Sequence, residues 1–196
     1  MRVMRICSAF LPAESGKESS MTDLIARARA FAEAQHAGQT RKGAEAAPYI
    51  THVAEVAEMV QRFGGPPEAV AAALLHDVVE DCPPTDIKDI ADRFGATVAA
   101  IVAEVTDDKT LPKAERKRLQ VVNAARKSPQ AALIKIADKT SNVRAIEQAP
   151  PTDWSTARKL AYLDWAEQVV TALPHRPVAA MTAFTRALDD TRAALT

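Results

Sequence analysis

The chain has 196 residues, 47% of them hydrophobic and 26% charged, a balance that suits one folded core and excludes a disordered polymer. Lys plus Arg total 25 and Asp plus Glu total 25, so no global field points to nucleic acid or an acidic membrane as partner, although a local basic pocket is still allowed. The two cysteines, Cys7 and Cys82, are far apart and form no CxxC pair, which argues against a disulfide framework and for a reducing, cytoplasmic setting.

Residues 1–20 are expected to form a flexible tail ahead of a single domain at 21–196. Two arginines precede the run ICSAFLPA, but that run is short, weakly hydrophobic and holds Pro12, so it does not read as an export signal. Met21 is an alternative start. No stretch approaches the roughly 20 apolar residues of a membrane span. From Met21 onward helical spacing dominates. Leu24, Ala28, Phe31 and Gln35 mark a first helix ending at His36-Ala37-Gly38. A polar loop carrying Arg41 and Lys42 leads to a second helix, Thr51 to Phe63, with Val53, Val56, Ala57 and Val60 along one face. Gly64-Gly65-Pro66-Pro67 ends it and opens a third, Glu68 to Asp81. Cys82-Pro83-Pro84 stops that helix, because a residue before proline is pushed out of the helical region. Short helices are expected over Asp86–Phe94 and Thr97–Val105. The stretch TDDKTLPKAERKRLQ is a loop running into a charged helix. Ser128-Pro129 is a cap and first-turn signature for Gln130–Glu147. Trp154–Leu173 and Val178–Leu195 close the chain around the turn PHRP, whose His175 reads as structural or solvent-exposed. No alternating strand, repeat or low-complexity tract interrupts this pattern. The fold class is all-α, a compact bundle of about eight to ten helices.

The third helix carries an oddity. Its end reads AAALLHDVVED, an apolar run with one imidazole and three carboxylates set into it. With His76 at zero and about 100° per residue, Glu80 lies near 40°, Asp77 near 100° and Asp81 near 140°. Leu74, Leu75, Ala71, Val78 and Val79 take the opposite face. No Lys or Arg on the polar face offsets the three acids, and a divalent metal is the economical counter-charge. Each candidate alone has a plain structural explanation. A histidine such as His52 in a first turn often just meets a neighbouring polar group. Asp138, after a nearly continuous apolar run, could pair with Lys135 or Lys139. Together, His52, His76, Asp77 and Asp138 make two imidazoles and two carboxylates on three helices beside apolar faces. Such a mixed nitrogen and oxygen set suits Mn, Fe or Zn, with positions left open to water.

An isolated His, an HD pair and a distant Asp resemble the motif of HD-domain phosphohydrolases. The flanks RKGAEAAPYITHVAEVA, AAALLHDVVED, FGATVAAIVAEVTDDKTLPKAERKRLQ and KIADKTSNVRAI resemble the hydrolase domain of the RelA/SpoT homologue family. The likeness is greatest to its small single-domain alarmone hydrolases of the metazoan SpoT type, and runs from about Met21 to the end. It implies an HD-type bundle and a Mn²⁺ enzyme, with one ion per chain. The implied reaction removes the 3′-pyrophosphate of (p)ppGpp to give GDP or GTP and pyrophosphate. No synthetase is expected beside it, and the partner is a small nucleotide rather than nucleic acid or membrane.

Carried over by position, the resemblance makes His52, His76, Asp77 and Asp138 the metal ligands. It makes Glu80 and Asp81 the catalytic acids, acting as a shared acid/base unit. Arg41 and Lys42 fall in the nucleotide pocket, Lys113 near the phosphates, and Asn142 at the ribose or base. Arg158 and Tyr162 also reach the substrate. Lys109 and Arg116 are unassigned. Two features depart from the family pattern. Thr140-Ser141 stand where relatives carry bulky residues or a Leu-His pair, which predicts a more open or more polar pocket wall. The GAEAA loop is slightly longer than in many bacterial members. Base preference therefore stays open between guanine and adenine alarmones, with the phosphate of NADPH as a further substrate. A non-catalytic nucleotide-binding regulatory module is the competing class, and loss of a ligand or of the Glu-Asp pair would favour it.

Overall fold

Ten helices account for most of the described residues, 15–43 and 46–196, of this computed structural model. They are α1 (Ser15–Gln35), α2 (Ile50–Arg62), α3 (Pro67–Leu75), α4 (Val78–Asp81) and α5 (Ile87–Phe94), followed by α6 (Ala96–Val105), α7 (Lys113–Ala124), α8 (Pro129–Gln148), α9 (Thr156–Thr171) and α10 (Val178–Leu195). Among the described residues no strand forms, and an isolated antiparallel bridge joins Thr40 to Pro48. None of these helices is long and apolar enough to cross a membrane.

Helix ends fall where local chemistry puts them. Asp86 and Asp89 form a capping box that starts α5, and the Ser128 hydroxyl accepts from Ala131 N at the start of α8. Ser155 caps α9 in the same way, which moves that start past Trp154. Gly64 follows α2 with φ of +84°, a left-handed value that glycine adopts without a Cβ penalty.

Two expectations change. Residues 15–20 of the expected tail belong to α1; residues 1–14, with Cys7 and ICSAFLPA, lie outside the described residues. The single third helix is instead two, α3 and α4, with His76 and Asp77 in the turn between them. Asp77 has φ −103° and ψ −6°, off regular helical values, and its carboxylate accepts from Tyr49 Oη at 2.6 Å. The His76 ring meets the Ala73 carbonyl at 2.7 Å, the acceptor that an unbroken helix would offer to Asp77 N, so a side chain competes with the ladder at this point. The break is slight, because Asp81 N still bonds Asp77 O at 2.8 Å. The aliphatic back of the segment behaves as its spacing predicts, with Ala71, Leu74, Leu75 and Val78 fully buried.

Helix α8 joins two apolar clusters. Ala131, Ile134 and Ala137 pack with α1, α2, α3 and α6, while Ala132, Leu133, Ile136, Val143 and Ile146 pack with α9 and α10. Every residue from Ala131 to Ser141 is buried, as expected of a helix enclosed on all sides. Any charged residue in that span must find its counter-charge inside the protein, and Asp138 is such a residue.

Candidate metal centre and nucleotide cleft

Three elements converge on Asp138. His52 comes from the first turn of α2, and His76 and Asp77 from the turn after α3. One ligand atom each of His52, His76 and Asp138 lies within 4.8 Å of the others. His52 Nε2 is 3.5 Å from Asp138 Oδ1 and 3.7 Å from Asp77 Oδ2; His76 Nε2 is 3.2 Å from Asp77 Oδ2. All four residues expected as ligands are thus brought together.

The donor set fits a divalent cation. The Nδ1 of His76 meets the Ala73 carbonyl at 2.7 Å; a carbonyl only accepts, so Nδ1 carries the proton. His76 Nε2 is buried and lies 3.2 Å from Asp77 Oδ2 without the alignment of a regular hydrogen bond, which is unusual for a buried polar atom. Burial depresses the His76 imidazole, but Asp77 and Asp138 outweigh it and hold its pKa up at about 9. Burial alone would raise the carboxyl of Asp77, yet His76 and His52 bring it below the usual carboxylate range. Asp138 is lowered against its own burial by Lys139 and His52. The cluster is built for positive charge, and a cation held at His76 Nε2 would take the place of a proton there.

Outer contacts hold the ligands. Tyr49 donates to Asp77, with its own hydroxyl proton held far above the ordinary range by burial and by Asp77. Asp138 accepts from Asn142 Nδ2 at 2.5 Å and from Lys139 Nζ at 2.9 Å. Lys135, the other cation that could have paired with Asp138, donates instead to Val105 O at 2.7 Å.

The acids of α4 stand at the edge of this centre. Glu80 accepts from Arg116 Nη1 at 3.3 Å and from Asp107 N at 3.4 Å. Burial, together with Asp107 and Asp77, pushes its carboxyl above the ordinary range. Asp81 accepts from Lys109 Nζ, which also lies 3.9 Å from Glu80. Lys109 and Arg116, unassigned from sequence, therefore hold the acid pair. Their signal was proximity across the chain, which spacing does not carry.

Two lobes open from the centre. One, of about 350 Å³, is lined by Arg41, Lys42, Asn142, Ile146, Trp154 and Tyr162. The other, of about 240 Å³, holds Lys113, Arg116, Lys117 and Lys139 beside Asp77, Glu80 and Asp138. Tyr49, His52, Asp81, Asn142 and Tyr162 belong to both. Arg41 and Lys42 are placed by Arg41 N bonding Ala47 O at 2.8 Å. Gly43 then passes so close to the end of α8 that a Cβ there would sit 2.7 Å from Ala149 O. Residues 44 and 45 of the GAEAA loop lie outside the described residues.

Lys117 and Trp165 escaped the sequence reading, and Lys139 entered it only as a partner for Asp138. The ammonium of Lys117 sits 4.3 Å and that of Lys139 4.5 Å from the Trp165 ring centre. Burial first, and then the nearby Lys113, Lys139 and Arg158, lower Lys117. Burial pushes the Tyr162 hydroxyl up to about 12. Arg158 takes a different place from Tyr162. It stacks 4.4 Å over the Trp154 ring and pairs with Asp153 at 3.5 Å, lining neither lobe.

Thr140 and Ser141, expected in a more open or more polar wall, are both buried and line neither of these two lobes, although Ser141 lines a smaller cavity of about 110 Å³ beside Arg41 and Lys42. Thr140 donates back to Ile136 O at 2.7 Å, and Ser141 faces His52 and Glu55.

Comparison with known proteins agrees with this geometry. The HD-domain family model matches residues 28–176. The chain is 48% identical over 145 residues to the human guanosine-3′,5′-bis(diphosphate) 3′-pyrophosphohydrolase MESH1, covering 73% of this chain and 80% of that one. It is 46% identical over 157 residues to the Xenopus tropicalis protein of the same name, covering 79% and 87%. A solved structure of a metazoan ortholog of SpoT that hydrolyzes ppGpp superposes with a TM-score of 0.81 at 35% identity, covering 93% of this chain and 98% of that one.

Proposed function

The chain belongs to the HD-domain family and to its ppGpp 3′-pyrophosphohydrolases, and from that premise we propose how its residues divide the work. It hydrolyses the 3′-pyrophosphate of ppGpp. His52, His76, Asp77 and Asp138 hold one divalent metal, which we take to be Mn²⁺, a choice that mixed imidazole and carboxylate donors support. Such an ion lowers the pKa of a water it binds and offsets charge on a phosphoryl oxygen.

The remaining roles belong to side chains. Glu80, raised by its surroundings, is suited to accept the proton of the attacking water as the bond from phosphorus to the 3′ oxygen breaks. It returns that proton to the departing 3′ oxygen, directly or through Asp81. Lys109 and Arg116 keep the two acids in register from outside. Lys113, Arg116, Lys117 and Lys139 take the pyrophosphate, whose charge relieves their mutual repulsion. Arg41 and Trp154 bracket the base, Asn142 and Tyr162 sit beside the ribose, and Lys42 meets the 5′ phosphates. Arg158 acts by positioning Trp154. We take residues 21–196 as the hydrolase unit, working in the cytoplasm, where a free thiol such as that of Cys82 persists.

The observation that carries this reading is a four-residue cation cage with an acid pair at its edge, placed between an aromatic lobe and a cationic one. The test is purified full-length chain with Mn²⁺ and, separately, ppGpp, pppGpp, ppApp and NADPH, with products resolved by chromatography. Pyrophosphate released from ppGpp and pppGpp is expected. Loaded protein that leaves ppGpp intact would overturn the assignment, and faster release from ppApp would move the base preference to adenine.

A further inference from the structure

The hydroxyl of Ser141 has three partners. It donates to Glu55 Oε2 at 2.6 Å, since a carboxylate only accepts. One proton is all a hydroxyl has, so its other two contacts must be acceptances. These are from Arg41 Nη2 at 3.4 Å and from His52 Nδ1 at 3.0 Å. His52 Nδ1 therefore carries its proton toward Ser141. Its lone pair is left on Nε2, the atom facing Asp77 and Asp138. Glu55 is in turn held 3.6 Å from Arg41 Nη1 and 3.4 Å from Arg144 Nη1, while Ser141 and His52 are both buried.

We propose that Ser141, oriented by Glu55, is a positioning residue that fixes the tautomer of His52 for metal binding, and that the same Glu55 holds Arg41 toward the nucleotide lobe. A partner on the far nitrogen of a metal-binding imidazole sets its ring orientation and basicity, and losing one weakens metal affinity about 10–100-fold. Here a serine and a carboxylate share that task, and the carboxylate reaches two functions at once. The inference rests on His52 being a metal ligand and Arg41 a nucleotide contact.

Mn²⁺ affinity of the full-length protein, read from the free-ion EPR signal, tests it without relying on turnover. Ser141→Ala is expected to raise the Mn²⁺ Kd about 10–100-fold while leaving KM for ppGpp at saturating Mn²⁺ within about twofold. Ser141→Thr, which keeps the hydroxyl, should restore the affinity, and Thr140→Ala should leave it unchanged. Glu55→Ala should raise both the Kd and KM, because it frees Ser141 and Arg41 together. A wild-type Kd in Ser141→Ala, when His52→Ala has lost the metal, overturns the inference and leaves the metal centre standing. A wild-type Kd in His52→Ala overturns the centre and the inference with it.

Discussion

The two lobes of the cleft differ in what holds them. Aromatic and aliphatic side chains, Ile146 near the end of α8, Trp154 just before α9 and Tyr162 within α9, surround a few polar groups on one side. On the other, cations from α7 and α8 crowd around a single indole, Trp165. A flat, weakly charged group gains from the first through stacking and apolar burial. A polyanion gains from the second through charge-assisted hydrogen bonds. The cluster of His52, His76, Asp77 and Asp138 between them is held by α2, the turn after α3 and α8, independently of either lobe. On the function proposed above, substrate choice and bond cleavage fall to different parts of one cavity.

That division can be broken at graded points. Removing the centre should silence both lobes: Asp138→Ala is expected to lower kcat/KM by well over 100-fold, beyond the loss typical of an outer partner. It should also erase the Mn²⁺-induced rise in Tm. In the wild type, Mn²⁺ at 100 times its Kd adds about 2.7 kcal/mol, a Tm rise of roughly 5–10 °C for a chain of this size. Glu80→Gln is expected to cut kcat about 10²–10⁴-fold with Mn²⁺ affinity unchanged; a small loss would place the proton transfer elsewhere. In the cationic lobe, Lys117→Ala should raise KM about tenfold for every 3′-pyrophosphorylated nucleotide alike. In the aromatic lobe, Trp154→Ala should cost about 3–10-fold, and its effect should differ between ppGpp and ppApp. Equal effects of both substitutions on both nucleotides would dissolve the contrast.

The finest probe is pH. Glu80 accepts a proton only when ionised, and its pKa lies above the ordinary carboxylate value. Activity should therefore fail, as pH drops, at a point above that of an ordinary glutamate. After burial, Asp107 is the next cause of the rise. Asp107→Asn should accordingly move the acid limb of kcat/KM to lower pH, and an unmoved limb would assign it to another group.

Much of this is legible in the chain. Helix positions follow from apolar spacing and from the proline and glycine breaks, so α2, α5, α6, α8 and α10 fall within a residue or two of expectation. The HD pair and Asp138 stand out because uncompensated charge in an apolar run needs an explanation. Legibility ends where a side chain finds its partner across the chain. The Asp77 carboxylate finds Tyr49, 28 residues earlier. Lys109 and Arg116 look like ordinary surface cations until the loop after α6 folds over α4. Thr140-Ser141 read as pocket wall, but rotation about α8 turns them inward.

By itself, then, the sequence determines an all-helical chain and marks out His52, His76, Asp77, Asp138 and the pair Glu80-Asp81, because these rest on local spacing and on the high free energy of burying charge. Tertiary structure alone decides which nitrogen of His52 faces Asp77 and Asp138, which cations hold Glu80 and Asp81, and where the cationic lobe lies. Those outcomes depend on atoms brought within about 3 Å of one another by packing, and no local pattern encodes a distance between residues a hundred positions apart.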